Sequence, residues 1–329
     1  MIEILSLPFM QRALLAALLS GLIAPAIGTF IVQRRMSLLG DGLGHVAIMG
    51  VGLALMTGWA PLPVAVVTSV AGAVTVELLR QHGKASGDLG LAILFYGGLA
   101  SGVLMAGVAG QGAGGLSAFL FGSLTSVSEG DIALIVALAV IILALTIGLA
   151  PRLFAVSVDE DYSRVLGIRV KTLNLLVVVL AAITVTVSMR TVGLLLISAL
   201  MVIPVATSQQ IFIGFTTSFF GAMGIGVVAA VGGTIGSFYL DTATGATIVV
   251  TAILLLGLSW VFGRWTRRSA RFIPYVEDHG HSQTYHQAEA HDDSFAHRPG
   301  VKVIQHGDHL DYVHDGHRHA LHGDHYDEH

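Results

Sequence analysis

The sequence predicts an all-α, polytopic membrane protein of about nine transmembrane helices, followed by a histidine-rich tail. Hydrophobic residues make up 54% of the 329 residues and charged residues only 12%, a composition far from that of soluble domains. Apolar runs of about twenty residues, long enough to cross a bilayer as a helix, recur from Met10 to Trp265. The remainder of the chain is polar, and residues 279–329 hold thirteen of the fifteen histidines.

Charged residues, glycine and proline divide the apolar part into candidate spans. They are 10–32, 43–58, 61–80, 88–109, 130–150, 171–189, 191–209, 211–238 and 243–264. Residues 111–126 are too short and glycine-rich to cross, so we expect a re-entrant helix there, buried in protein. The first span follows a segment without a basic region and has no small-residue cleavage site, and we therefore expect it to be retained.

The distribution of charge predicts two domains and their orientation. We expect a transmembrane domain over residues 1–271 and a His/Asp-rich tail over residues 272–329. If the carboxyl end of the first span is cytoplasmic, twelve basic residues lie inside and only Arg12 and Arg190 lie outside. Basic residues concentrate in cytoplasmic loops, so the tail is predicted to be cytoplasmic. No tandem repeat joins the two halves, and a two-fold transporter therefore requires a second copy of the chain.

The tail has the composition of a metal-binding segment. Residues 279–329 contain nine acidic and three basic residues, for a formal charge of −6. Imidazole and carboxylate groups bind divalent first-row metals, and imidazole favours zinc over manganese, with nickel or cobalt as alternatives. Without an apolar core we expect this segment to remain disordered even when it binds metal. The accessory ligands expected in its densest part are His306, His309, His314, His317, His319, His322, His325 and His329.

Several other kinds of site are excluded by the composition. Cysteine is absent, which excludes disulfides and thiolate sites, and the nine methionines are scattered. This argues against a carrier of Cu(I), which prefers soft sulfur ligands. The chain contains no GxxxxGK[ST] sequence, so it does not hydrolyse ATP by that route. We expect no permanently bound cofactor and no nucleic-acid partner.

One pair of ionisable residues stands out at the membrane. Asp41 and His45 are four residues apart where the second span begins, which on a helix places their Cβ atoms about 5–6 Å apart on one face. A buried ionisable group in lipid is costly and usually faces a transport pathway, and a carboxylate with an imidazole can bind a divalent ion. The structural alternative is that Asp41 caps the helix and His45 is hydrogen-bonded within the bundle.

The remaining ionisable residues near the spans have ordinary explanations. Glu77 is expected to pair with Arg80, or to extend towards the membrane surface. Asp241 is expected to cap the start of the last span, although an acid there also suits the mouth of a cation route. Acids that complement the dipole at a helix start are expected at Asp88, Glu129 and Asp131.

The longest cytoplasmic loop, residues 151–174, carries the signals of a short surface helix. An acidic start is followed by an amphipathic turn and a glycine stop. Such a helix, lying parallel to the membrane, would transmit force from a soluble motor, and a plain solvated loop is the alternative. The segment consists of Asp159, Glu160, Asp161, Tyr162, Ser163, Arg164, Val165, Leu166 and Gly167.

Five segments, taken in order, carry a resemblance to a known family. They are QRRMSLLGDGLGHVAIMGVGLA, SAFLFGS, DEDYSRVLGIRV, VGLLLISALMVIPVATSQQ and DTATGATIVV. Over about residues 10–265 the sequence resembles the ABC-3 family of metal-ion ABC importer permeases, and its zinc-transporting members most closely. The resemblance places Asp41 and His45 in the metal pathway and residues 159–167 in the element that docks on the ATPase.

The resemblance also implies an ABC importer permease fold and a set of partners. A homodimer in the lipid bilayer of the bacterial plasma membrane would receive Zn²⁺ as cargo from an extracytoplasmic metal-binding protein, driven by a separate ATPase dimer. Members of the family also carry manganese or iron, and these cargoes stay open. The sequence departs from the usual pattern, without loss of a proposed ligand, at Gly44, Ser163 and Gln209-Gln210.

Two other functional classes remain open at the level of sequence. A secondary metal transporter would use the membrane gradient without an ATPase, and it would have no need of the docking helix in residues 151–174. A membrane-bound metal sensor would use the tail as its detector and would signal without net flux.

Overall fold

The protein consists of a helical unit and a small β-sheet unit. The computed structural model describes residues 7–34, 36–81, 87–111, 114–123, 128–269, 302–306, 309–314, 317–322 and 325–328. By internal contacts the chain divides into Met1–Ala270 and Arg271–His329. Among the described residues, the first unit is built from helices and the second from strands.

Helices form at every span that the sequence predicts. In chain order they are α1 (Pro8–Gln33), α2 (Leu39–Thr57), α3 (Pro61–Gln81), α4 (Gly87–Val108), α5 (Gly114–Phe121), α6 (Glu129–Gly148), α7 (Ala150–Val158), α8 (Glu160–Val165), α9 (Val170–Ser188), α10 (Leu194–Ile211), α11 (Phe215–Leu240) and α12 (Thr244–Ser269). The predicted re-entrant segment contains the eight-residue helix α5.

The helical unit has the dimensions of a multi-pass membrane protein. Within the described residues, seven helices are long and apolar enough to cross a bilayer, namely α1, α2, α3, α6, α9, α11 and the Thr244–Val261 part of α12. Two shorter apolar segments, Ala92–Val108 and Leu196–Ile211, lie in α4 and α10. That these two also cross the membrane stays a prediction.

Helices α1 and α2 form the centre of this unit. In each of these two helices, 72% of the most apolar 18-residue stretch is buried, against 22% in α6 and 28% in α3 and α12. Helix α2 packs against α3 and α4, while α1 packs against α9, α10 and α11. The helices with exposed apolar faces therefore suit contact with lipid, and the candidate pathway residues lie on a central helix.

Small residues bring α4 against α2 at the level of His45. A Cβ atom built on Gly98 would lie 2.6 Å from the carbonyl carbon of His45, and one on Gly102 would lie 2.6 Å from the side chain of Ile48. Any larger residue would force the two backbones apart. Glycine at these positions thus sets the separation of the two helices.

The described part of the tail forms a four-stranded antiparallel sheet. The strands β1 (Lys302–His306), β2 (His309–His314), β3 (His317–His322) and β4 (His325–Glu328) are arranged in sequence order. The prediction of a disordered tail is therefore wrong for these residues. Gly-Asp, Asp-Gly and Gly-Asp separate successive strands, and such dipeptides favour two-residue hairpin connections. His329 lies outside the described residues.

Candidate metal pathway and coupling site

Asp41 lies in the first turn of α2 and is partly buried. The helix begins at Leu39, and Leu38 occupies the N-cap position without a side-chain hydrogen bond. The alternative that Asp41 caps this helix is therefore wrong, because the chain becomes helical before it. As an acid of the first turn, Asp41 interacts favourably with the positive end of the helix dipole.

His45 is held in one orientation by its own helix. The side chain is buried, and its Nδ1 lies 2.6 Å from the backbone carbonyl oxygen of Asp41. Because a carbonyl oxygen only accepts hydrogen bonds, Nδ1 carries the proton, and the lone pair of the neutral ring is on Nε2. Metal-ligating histidines use this arrangement, in which the second ring nitrogen donates to a carbonyl or carboxylate. The hydrogen bond that the structural alternative predicts is thus present, and it leaves a nitrogen suited to metal.

An aromatic side chain from α4 covers the imidazole. The ring centroids of His45 and Phe95 lie 3.9 Å apart, and Phe95 in turn packs edge-on against Tyr96. The close approach at Gly98, one turn further along α4, makes this contact possible. The ring of His45 is therefore fixed by a hydrogen bond on one side and by packing on the other.

Asp41 and His45 supply few ligands by themselves. Among the side chains that the structure describes, no group of three or more histidines and acids that could hold a metal is present. A closed structural zinc site uses four protein ligands, whereas an ion in transit must leave again and needs weaker binding. Two candidate ligands on one helix suit the second case.

The predicted pairing of Glu77 is confirmed. Its carboxylate accepts hydrogen bonds from Arg80 Nε at 2.9 Å and Nη2 at 3.0 Å, and a third from Gln81 Nε2 at 2.9 Å. Although Glu77 is buried within α3, its charge is compensated by these donors. These contacts account for its burial.

Acids also begin α6, as the sequence predicts. Ser128 and Asp131 form a capping box, and Asp131 pairs with Arg190 at 3.3 Å. Glu129 lies 3.5 Å from Arg12 in an exposed ion pair. Asp88 is in the first turn of α4, but its side chain lies outside the described part of the chain.

The prediction that Asp241 caps the start of the last span is wrong. This residue ends α11 in the left-handed region, with φ +50°, and α12 begins only at Thr244. A short polar side chain lets aspartate occupy this region more readily than most residues. The sequence predicts a helix start here because an acid followed by threonines is typical of one.

The short surface helix in the loop is present as α8, so the alternative of a plain solvated loop is wrong. Asp159 is its N-cap and accepts a hydrogen bond from the Tyr162 amide at 2.9 Å. Gly167 ends the turn with φ +75°. The Gly167 amide donates to the Arg164 carbonyl and the Ile168 amide to the Ser163 carbonyl, both at 3.0 Å, which completes a Schellman motif.

Helix α8 exposes apolar side chains and buries a polar one. Tyr162 is 60% exposed, Val165 85% and Leu166 56%, while Ser163 is fully buried. Arg164 forms exposed ion pairs with the acids at the start of the helix. Large apolar residues clustered at a water-exposed turn are typical of a docking surface.

A polar network that sequence reasoning missed joins α8 to the end of α1. Asn174 Nδ2 donates to Glu160 Oε1 at 2.9 Å, and Arg34 Nη1 donates to Asn174 Oδ1 at 2.7 Å. Arg34 Nε also donates to Ser157 at 3.1 Å. Burial lowers the pKa of the Arg34 guanidinium, while the negative charge of Glu160 opposes this shift. Arg34 is 123 residues from Ser157 and 140 from Asn174, so no local spacing in the sequence predicts the network.

This network borders a cavity of about 500 Å³, lined in part by Arg34, Glu77, Arg80 and Glu160. The cavity also touches Leu38 and Leu39, where α2 begins. The cavity therefore lies between the network beside α8 and the start of α2, the helix that carries Asp41 and His45.

The family whose model matches the sequence is the ABC 3 transport family, over residues 6–263. The chain belongs to this family. It is therefore a membrane transport permease and not an enzyme. The family motifs quoted from the sequence fall within the matched range.

Relatives in the ABC 3 transport family are named for different metals. The manganese transport system membrane protein MntC of Halalkalibacterium halodurans is 31% identical over 261 residues, 79% of this chain and 89% of the relative. The high-affinity zinc uptake system membrane protein ZnuB of Haemophilus influenzae is 31% identical over 248 residues, 75% of this chain and 95% of the relative. The chain is thus a metal transport permease, and family membership leaves the metal undetermined.

A solved structure shares this fold. It is PsaBC from Streptococcus pneumoniae in complex with Fab, with a TM-score of 0.73 and 28% identity, covering 82% of this chain and 98% of that chain. The expected permease architecture is confirmed by this similarity.

Proposed function

We propose that the chain is the permease subunit of an ATP-driven importer of Zn²⁺. Two copies form a transmembrane homodimer in the bacterial plasma membrane, with the tail in the cytoplasm. An extracytoplasmic protein delivers the metal, and a separate ATPase dimer drives transport. The observation that carries the proposal is His45, whose buried ring has its Nδ1 bonded to the Asp41 carbonyl and its Nε2 suited to metal.

The preference for zinc rests on ligand chemistry. The relatives include proteins named for manganese, zinc and chelated iron transport, so similarity alone favours none. Imidazole suits zinc, whereas manganese prefers oxygen ligands. A histidine in the pathway and thirteen histidines in residues 279–329 therefore favour zinc. A manganese or iron permease is the second candidate, supported by the similarity to MntC.

The coupling role rests on α8 and its flanking residues. The exposed side chains of Tyr162, Val165 and Leu166 offer an apolar surface to a soluble partner, and the network through Asn174 connects it to Arg34 at the end of α1. A secondary transporter has no use for such a surface. The residues proposed to couple to the ATPase are Asp159, Glu160, Asp161, Tyr162, Ser163, Arg164 and Gly167.

The proposal is tested by zinc uptake into vesicles that contain the permease, its ATPase and its binding protein. His45→Ala and Asp41→Asn should abolish uptake, because each removes a ligand while the protein still inserts and dimerises. Ser69→Ala is the matched control. Ser69 lies on α3, is buried like His45, and donates a hydrogen bond to the carbonyl of Leu43, which is on α2 together with His45. Normal uptake by both ligand variants would overturn the pathway assignment.

The same vesicles distinguish the alternatives. If Mn²⁺ or Fe²⁺ inhibits zinc uptake at lower concentrations than competing Zn²⁺ does, the second candidate, a manganese or iron permease, is favoured. Uptake that persists without ATP and without the ATPase would identify a secondary transporter.

A further inference from the structure

Histidines in the described part of the tail recur with a period of eight residues. One series is His306, His314 and His322, and the other is His309, His317 and His325. Two of the repeats are nearly identical, because HGDHLD at residues 306–311 returns as HGDHYD at residues 322–327. A repeat that preserves both the histidines and an aspartate indicates a repeated structural unit.

The register of the sheet places these histidines in pairs. His306 is opposite His309, His314 is opposite His317, and His322 is opposite His325. Each pair is the last rung of its ladder, with two residues between the paired positions. Directly opposite residues in an antiparallel pair share a face, with Cβ atoms about 4.5–5.5 Å apart.

Two of the three pairs lie on the same face and in one row. Asp311 is opposite Ala320 at one end of the β2–β3 ladder. Continuing both strands by two residues in the same register brings His309 level with His322. Residues two apart in a strand share a face. The row across the four strands is therefore His306, His309, His322 and His325.

Each of these pairs has an aspartate on its own face. Asp311 follows His309 by two residues and Asp327 follows His325 by two, so both acids are on the face of the row. Glu328 follows Asp327 directly and is therefore on the opposite face. The pair His314 and His317 is also on that opposite face, at the other end of the sheet, and His319 is two residues from it.

We propose that the sheet forms two equivalent divalent-metal sites on one face, one from His306, His309 and Asp311 and the other from His322, His325 and Asp327. The proposal deepens and rests on the function proposed above, which supplies Zn²⁺ as the metal. Two imidazoles and one carboxylate with a fourth position open to water are a ligand set known for zinc. Such a site exchanges metal more readily than a closed four-ligand site.

The geometry of the sheet permits both sites to be filled together. The centres of the two hairpins are two strand spacings apart, about 10 Å. This is close to the distance over which physiological salt screens charges, and an aspartate in each site reduces the repulsion further. Filling one site therefore does not exclude the other.

The test is zinc binding to the purified full-length permease, measured by equilibrium dialysis and metal analysis at neutral pH. Asp327→Asn should lower the affinity for one Zn²⁺ by at least about 10-fold. Loss of a residue that only supports a metal ligand already lowers metal affinity by about this factor. The double variant Asp311→Asn with Asp327→Asn should lower the affinity for two Zn²⁺ ions. Glu328→Gln is the matched control, because it removes the same charge at the neighbouring position on the opposite face, and it should leave both affinities unchanged.

If Asp327→Asn and Glu328→Gln lowered the Zn²⁺ affinity equally, the proposal would be overturned, since the tail would then attract metal by charge alone. A second variant with alanine at His306, His309, His322 and His325 should lose two Zn²⁺ per chain, and retention of both would also overturn it. Because binding is measured without transport, failure here is distinguishable from failure of the pathway proposal.

Discussion

At the scale of single residues, the orientation of His45 depends on one hydrogen bond and one aromatic neighbour. The bond to the Asp41 carbonyl fixes the proton on Nδ1, and the contact with Phe95 restricts the ring. The hydrogen bond lies within α2, whereas the contact with Phe95 requires α4 to lie close to α2. Gly98 allows that approach, because a Cβ atom there would lie 2.6 Å from the His45 carbonyl carbon.

We predict that Gly98→Val disrupts the pathway while Gly97→Val does not. A Cβ atom at Gly98 would lie 2.6 Å from the His45 carbonyl carbon, whereas at Gly97 it would meet no atom within 4 Å. Forcing extra atoms into packed protein costs about 1–3 kcal/mol. Thermal unfolding in detergent should occur at lower temperature for Gly98→Val, and zinc uptake should be reduced. Equal behaviour of the two variants would show that the contact does not matter.

Residue-level predictions from the sequence succeeded where the partner is close in the chain. Pairing of Glu77 with Arg80 and the acids at the start of α6 follow from spacing along one helix. The alternative in which Asp41 caps α2 is wrong because a helix start without a capping side chain leaves no signal in the sequence, and Leu38 is such a start. The role of Asp41 and His45 in transport stays a prediction.

At the scale of elements, α8 has a start and a stop that are both built from local hydrogen bonds. Asp159 supplies the first and Gly167 the second. The element is six residues long, too short to be stable alone. Its caps and its attachment through Glu160 to Asn174 therefore hold it in place.

We predict that Gly167→Val uncouples ATP hydrolysis from transport and that Gly167→Asn does not. The φ of +75° at this position is strained for a β-branched residue but tolerated by asparagine. The measurement is the ratio of zinc transported to ATP hydrolysed in the reconstituted complex. A wild-type ratio in Gly167→Val would exclude the loop as the coupling element.

The elements of the helical unit could largely be predicted because apolar length and breaker residues are local signals. The strands of the tail differ from the predicted disorder, which rests on the lack of an apolar core. The eight-residue spacing with a Gly/Asp dipeptide at each repeat was available in the sequence and predicts hairpins. The network through Arg34 and Asn174 joins residues 140 apart, which only a three-dimensional structure reveals.

At the scale of the whole molecule, the chain divides into two units, and the candidate metal ligands are divided between them. The candidate pathway residues lie in the central helices, while the paired histidines lie in the tail. Basic residues predict a cytoplasmic tail, where it would meet zinc after transit. We therefore expect the tail to be an accessory to transport.

We predict that deletion of residues 279–329 leaves basal zinc uptake largely intact. The pathway ligands remain, and the deleted residues hold thirteen histidines and a formal charge of −6. Metal analysis of the purified protein should show the loss of several Zn²⁺ per chain, and the response of uptake to cytoplasmic zinc should change. Complete loss of uptake in a correctly inserted dimer would show that the tail belongs to the transport mechanism.

The period of the tail has a consequence for how such a segment changes during evolution. Successive histidine pairs are eight residues apart, so gain or loss of sixteen residues adds or removes a whole hairpin and keeps every remaining residue on its face. A change by one residue would instead reverse the faces of all that follows. Duplication of a short DNA segment is therefore a route by which a lineage can change the number of the proposed metal sites while the membrane helices remain untouched.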